Sequence, residues 1–408
     1  MDRISNRIGR YFVGYMLTIS LLCGCGMKEV SKTIVLPEEN REEAENGSIE
    51  IKDIHEYTYE GNGNELGYIA WDQEDEDSLW IVRDAGADTG MHAYYAQKID
   101  MDTKEILENI LLDEREISNG QIAPGGKYIS FETWEESMIG LVIFKTSEQE
   151  ATVLREWEDA TEMSCYAWSG DGTKFFSWTD GNYCKQNPYQ DWSICRYDME
   201  TGEKIEIQFE GNEYFWRTVV PNRDGSKVYI TENGMEQSRN TLDMVMEENS
   251  AEDGTARTVA LHRILDMNTQ EICNLGDQLT EMAFPMFDTE AGLIAKDRDD
   301  HIVLYQDLTT SPAKKDLLTL DYMNAEVFAC EQGDHIFLVE GDQDNRYMQV
   351  VGMQIEDGEV TGQQVLYKGI AGNDATVAIH PMDHAVAIQS SDYIENDRWR
   401  ITITVLEY

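Results

Sequence analysis

One unit recurs along this chain, and a fixed unit repeated in sequence constrains the fold more than any single residue does. Gln121–Glu132 reads QIAPGGKYISFE, Tyr166–Thr179 reads YAWSGDGTKFFSWT, and Val219–Glu232 reads VVPNRDGSKVYITE. Each copy is a short apolar strand, a glycine-containing turn, a lysine one or two residues after the glycine, and a second strand. The second strand of successive units begins near Tyr128, Phe175, Val228, Leu293, Ile336 and Ala385, with an earlier unit inside Leu66–Ile110. The spacing, about 43–65 residues, brackets the roughly 40–50 that a four-stranded blade and its turns require. Dividing residues 51–408 by seven gives about 51 per unit, which predicts a seven-bladed β-propeller of four-stranded antiparallel blades.

The rest of the pattern agrees. From Ile51 onward, runs of four to eight residues rich in Val, Ile, Tyr, Phe, Trp and Thr alternate with turn residues. Only Leu242–Glu248 reads as a fair helix. Blade 2 is expected at Ser118–Pro124, Lys127–Glu132, Met138–Lys145 and Ala151–Glu156. Blade 3 is expected at Ser164–Trp168, Lys174–Thr179, Trp192–Met199 and Lys204–Phe209. Blade 7 has Ala375–His380, Ala385–Ser390 and Arg398–Glu407, which leaves it one strand short. An open blade would expose unpaired edges, so an N-terminal strand, Ile49–Tyr57, is expected to fill the outer position. Glu65–Trp71 reads as either the first or the second strand of blade 1.

The repeat resembles that of TolB-type propellers, whose unit runs approximately W-S-P-D-G-K and then I-A-F. The matching residues are Ile122-Ala123-Pro124-Gly125-Gly126-Lys127 with Ser130-Phe131, then Trp168-Ser169-Gly170-Asp171-Gly172-Thr173-Lys174, and Pro221-Asn222-Arg223-Asp224-Gly225-Ser226-Lys227. His380-Pro381-Met382-Asp383-His384 is a degraded fourth copy. Asp-Gly supplies the tight turn because glycine tolerates positive φ. Units near residues 66, 290 and 334 have lost most of the motif.

The first 25 residues carry an address. Arg3, Arg7 and Arg10 precede a 12-residue apolar run, Tyr11–Leu22, too short to span a bilayer but suited to a signal peptide. Leu22-Cys23-Gly24-Cys25 resembles the bacterial lipobox, with Gly24 before the Cys that takes the lipid. That resemblance implies removal of residues 1–24, palmitate-type acylation at Cys25, and attachment to the outer face of a membrane. In a Gram-negative organism this would be the outer membrane. Residues 25–48 include Glu38-Glu39-Asn40-Arg41-Glu42-Glu43 and read as a solvated acidic tether. The folded domain is placed at 49–408.

Composition excludes some partners. With 79 acidic and 32 basic residues the formal charge is −47, which repels nucleic acid and anionic headgroups. No G-x-S-x-G, P-loop or H-E-x-x-H pattern is present. His380 and His384 stand at H-x-x-x-H spacing but read as turn histidines. Asp72–Asp77 and Asp297–Asp300 are acidic turns that would take Ca²⁺ if any cofactor is bound, and none is expected. Of the cysteines beyond the leader, Cys184 and Cys195 flank one loop and form the only plausible disulfide pair.

Binding therefore reads better than catalysis. The B–C loops of a propeller share one face, and four are read as long: Asp84–His92, Asp180–Asp191, Asn233–Thr255 and Ser391–Arg398. Tyr183, Tyr189 and Trp192 in one, and Tyr393 and Trp399 in another, are candidate contacts for a protein or carbohydrate ligand. The expected molecule is a monomeric, lipid-anchored binding or scaffold module. The alternatives are a propeller enzyme (polysaccharide lyase or hydrolase) and a sensory partner of a membrane receptor or transporter.

Overall fold

The computed structural model describes residues 49–408 apart from 62–64, 66, 86–91, 136–137, 159–162, 181–191, 210–215, 236–257, 276–281, 298, 300, 309–312, 320–325, 331–332, 342–346, 371–374 and 396–397. The first strand is β1 (Asp53–Gly61). Blade 1 is β2 (Ile69–Trp71), β3 (Ser78–Asp84), β4 (Tyr94–Asp100) and β5 (Ile106–Asp113). Blade 2 is β6 (Ile117–Ile122), β7 (Tyr128–Glu135), β8 (Met138–Lys145) and β9 (Glu150–Glu158). Blade 3 is β10 (Met163–Trp168), β11 (Lys174–Asp180), β12 (Trp192–Asp198) and β13 (Lys204–Phe209). Blade 4 is β14 (Trp216–Pro221), β15 (Lys227–Met235), β16 (Thr258–Asp266) and β17 (Ile272–Asn274). Blade 5 is β18 (Met282–Thr289), β19 (Gly292–Asp297), β20 (His301–Gln306) and β21 (Ala313–Thr319). Blade 6 is β22 (Glu326–Ala329), β23 (His335–Gly341), β24 (Tyr347–Glu356) and β25 (Glu359–Ile370). Blade 7 is β26 (Ala375–Ile379), β27 (Ala385–Glu395) and β28 (Arg398–Glu407), with β1 outermost.

Burial follows each strand's place in its blade. Central strands are covered on both faces by neighbouring blades, so β7 runs with six consecutive buried residues, Tyr128–Thr133. Towards the periphery one face opens: β12 alternates buried and half-buried along Trp192–Asp198, the period-2 signature of a pleated strand. Each of the seven blade interfaces holds its own apolar cluster, for example Phe176, Trp178, Ile194, Val219 and Val228 between blades 3 and 4.

The ring closes as the edge argument demands, with a shift in register. β1 pairs antiparallel with β28 from Asp53↔Glu407 to Gly61↔Trp399, so the closing strand begins and ends four residues later than Ile49–Tyr57. The displaced residue Ile49 is 4% exposed and packs with Leu366 and Val350 of blade 6, which explains its apolar character without strand pairing. A side-chain latch ties the closure: Gln389 Nε2 donates to Tyr59 Oη (3.3 Å) and the Glu65 carbonyl (3.4 Å), while Gly67 N donates to Gln389 Oε1 (3.1 Å). Glu65–Trp71 resolves as the approach to, and the inner strand of, blade 1.

The glycine turns perform as their sequence requires. In blade 3, Ser169 Oγ accepts from Lys174 N (2.9 Å) and Asp171 Oδ1 accepts from Thr173 N (2.9 Å). Gly172 has φ of +68°, and a Cβ there would lie 2.1 Å from the Pro124 carbonyl oxygen of blade 2, so only glycine fits.

Candidate functional site

Strand order divides the ring into two rims. The A–B and C–D turns share one, and the B–C and D–A connections share the other. The described loop candidates, Tyr393, Trp399 and Trp192, fall on the second rim.

Tyr393 and Trp399 are brought together. The sequence reads Ser391–Arg398 as a loop, but β27 continues to Glu395 and β28 starts at Arg398, so Ser391–Glu395 and Arg398 are strand residues. Tyr393 lies opposite Trp399 across the β27–β28 pair, and their rings meet edge to face at 5.3 Å and 73°. Tyr393 is 54% exposed. The flanking Arg398 guanidinium donates to Glu60 Oε2 of β1 (3.1 Å), tying the start of β28 to the closing strand. Trp399 is half-buried, so Tyr393 presents the exposed ring of the pair.

Trp192 departs from expectation. It is 3% exposed, stacks on Phe209 at 4.3 Å, and lies under the Arg217 guanidinium at 4.5 Å. It opens β12, and period-2 alternation there turns its side chain into the blade 3–4 interface. Beneath it, Glu232 accepts charge from Arg217 (3.5 Å) and Arg263 (3.2 Å), with Glu232 and Arg217 wholly buried. Two guanidiniums around one carboxylate satisfy each other only as a set. Tyr183 and Tyr189, like Cys25 and Cys184, lie outside the described residues, as does Leu242–Glu248. Cys195 is a free thiol in β12.

Sequence reading missed a buried acid–phenol cluster where blades 1, 2 and 3 meet. In β6 an irregular register places Asn119 at φ +48°, exposed to solvent. Its Nδ2 donates at 2.7 Å to Glu132 Oε2, a carboxylate of β7 that is 4% exposed and raised in pKa by burial. Tyr68 Oη reaches the Ser118 carbonyl at 3.5 Å, and the buried Tyr166 hydroxyl beside Glu132 has no hydrogen-bond partner among the described residues. The acid and two phenols come from blades 1, 2 and 3. The only trace of them in sequence is a charged residue at an inward position of a strand.

The other singled-out groups are already engaged: Asp72, His380 and His384 on the opposite rim, and Asp297 at the B–C connection of blade 5 on the loop rim. Asp72 Oδ1 accepts from Glu74 N and Asp75 N, its Oδ2 accepts from Trp80 Nε1, and Lys98 sits 3.1 Å away. Asp297 accepts from Asp299 N, His301 N and Lys314 Nζ (2.9 Å). Asp72 and Asp297 are thus each paired with a lysine ammonium. His380 is buried with its edge against Trp71 (4.8 Å), and its ring lies 4.0 Å from that of His384. His380 Nδ1 accepts from Met382 N, and burial with His384 nearby holds it at about 4, neutral at physiological pH.

No family model and no curated protein matches the chain.

Proposed function

We propose that the protein is a lipid-anchored, extracytoplasmic binding module whose loop rim contacts a protein or carbohydrate ligand. The single observation that carries the binding reading is the exposed Tyr393 ring packed edge to face on the half-buried Trp399 in blade 7. Amphipathic rings held at a fixed angle suit a sugar face or an apolar side chain equally. The anchoring reading rests on Leu22-Cys23-Gly24-Cys25 behind an apolar run, and on the acidic tether that follows.

Two measurements test the two halves. Cys25→Ser should release the protein from the membrane fraction, because no acyl group can be attached without the thiol. Persistence in alkaline-washed membranes contradicts anchoring. Trp399→Ala should weaken capture of glycan-array or detergent-extract ligands at least tenfold, or about 1.4 kcal/mol. Capture unchanged by that variant, at unchanged melting temperature, contradicts the loop-rim reading.

A further inference from the structure

The residue that lies between the two histidines singled out in sequence points away from both of them. Asp383 sits in the A–B turn of blade 7 at φ +50°, and its carboxylate crosses back to blade 6. Its Oδ2 lies 2.6 Å from His335 Nδ1, and its Oδ1 accepts from Tyr408 Oη at 2.6 Å. Cys330, 3% exposed, completes the group from the A–B turn of blade 6. The sulfur of Cys330, a ring nitrogen of His335 and a carboxylate oxygen of Asp383 all lie within 4.8 Å of one another. The geometry points to a zinc site formed by Cys330, His335 and Asp383 that staples blade 6 to blade 7 on the turn rim.

Three observations favour a metal over a mere turn cap. Cys330 occupies the position of Ser169 in blade 3 and Asn222 in blade 4, where an oxygen accepts the backbone N–H five residues on. Cys330 Sγ accepts the same bond from His335 N at 3.2 Å. A thiol is a weaker acceptor than either oxygen, so capping alone does not call for sulfur. Second, thiolate, imidazole and carboxylate together form a zinc donor set, and in a tetrahedral site such donors stand roughly 3.3–3.7 Å apart. A small contraction of the sulfur and a slight opening of the His335–Asp383 contact reach that spacing. Third, the donors are shielded: His335 and Asp383 side chains are 16% and 10% exposed.

The other candidate clusters lack these features. Asp297 with His301 and Asp316 already holds the Lys314 ammonium. His55, Asp102 and Glu407 form an open group without sulfur, with Asp102 59% and Glu407 40% exposed. Without metal, burial pushes the Cys330 thiol up to about 11. Zinc binding must therefore displace a proton from Cys330, leaving thiolate on the metal and the proton in solvent, so affinity rises with pH. A fourth position remains for water or the Tyr408 phenol.

The test uses purified full-length protein stripped with chelator and titrated with Co²⁺ under reducing conditions. One equivalent should develop the thiolate-to-cobalt charge-transfer band in the near ultraviolet, and one equivalent of Zn²⁺ should abolish it. Cys330→Ser should remove the band and His335→Gln should weaken Co²⁺ binding at least tenfold. Cys273→Ser, an exposed thiol on blade 4, should leave the band intact. The proposal is overturned if wild-type protein gives no such band, or if the band survives in Cys330→Ser. The wild-type titration decides the matter even if a variant fails to fold.

Discussion

The two rims of the ring are built by different rules. On the turn rim, blades 1, 3 and 4 repeat one hydrogen-bond scheme. Asp100, Asp198 and Asp266 each accept backbone N–H groups from the turn that follows, and the Thr three residues later accepts the next one. The adjoining Met101, Met199 and Met267 donate their N–H to the A–B turn of the same blade. Among the described residues, the loop rim carries no such repeated scheme. Blade 7 carries an exposed aromatic ring, blades 3 and 4 share a buried Arg–Glu–Arg set, and blades 1 to 3 share an acid–phenol cluster. A repeated local scheme serves the scaffold, because every blade faces the same geometric problem. Unrepeated side chains on the other rim have no such common problem to solve, which is why function is assigned there.

The sharpest way to break this comparison is to open the ring. Deleting β1 (Asp53–Gly61) strips β28 of nine paired residues and removes the Tyr59–Gln389 contact. Deletion of residues 26–46 removes only part of the tether read from sequence. The first truncation should unfold at a much lower temperature or fail to fold, while the second should melt like wild type. Equal melting temperatures in calorimetry would remove the closure argument.

Trp192→Ala comes next. Loss of a buried aromatic that supports Arg217 should cost about 3–5 kcal/mol. Chemical denaturation measures it, and a cost below about 1 kcal/mol would return Trp192 to the list of surface contacts.

A smaller effect sharpens the turn rim. His380 has its pKa lowered by burial and by His384, from 6.5 to about 4. The unfolded chain therefore binds the extra proton first, and stability should fall as pH drops from about 6.5 to about 4 and then level. The expected loss is up to roughly 3 kcal/mol. His380→Gln should flatten that segment of the stability profile relative to wild type. Parallel profiles for the two proteins would mean that His380 is not the responsible group.

Much of the turn rim was legible in sequence because its interactions are local. All six second strands read from the chain begin within one residue of the expected start, Lys174 against Phe175 for example, and Tyr128 and Ala385 coincide. The Asp-Met-x-Thr signal at residues 100, 198 and 266 was equally available as a second repeat and went unread. Blade 5 was harder, since its inner strand carries Pro285 and two irregularities and its A–B turn lacks Asp-Gly. The loop rim was mostly illegible for a physical reason. Gln389 meets Glu65 across more than three hundred residues, and no local pattern encodes such a contact. Trp192 misled because a strand's first residue looks like a loop's last. The strand residues at Tyr393 read as a loop, although their aromatic content was legible.

The central claim is that binding belongs to the loop rim, and one paired measurement tests it. Tyr393, on that rim, is 54% exposed, and Met382, on the turn rim, is 62% exposed. Replacing either with Ala should change folding stability by about 0.5 kcal/mol or less. Capture of glycan or membrane-extract ligands by the two variants, compared side by side with wild type, then reports position alone. The account predicts weakened capture for Tyr393→Ala and wild-type capture for Met382→Ala. Weakened capture for Met382→Ala with Tyr393→Ala unaffected would contradict it.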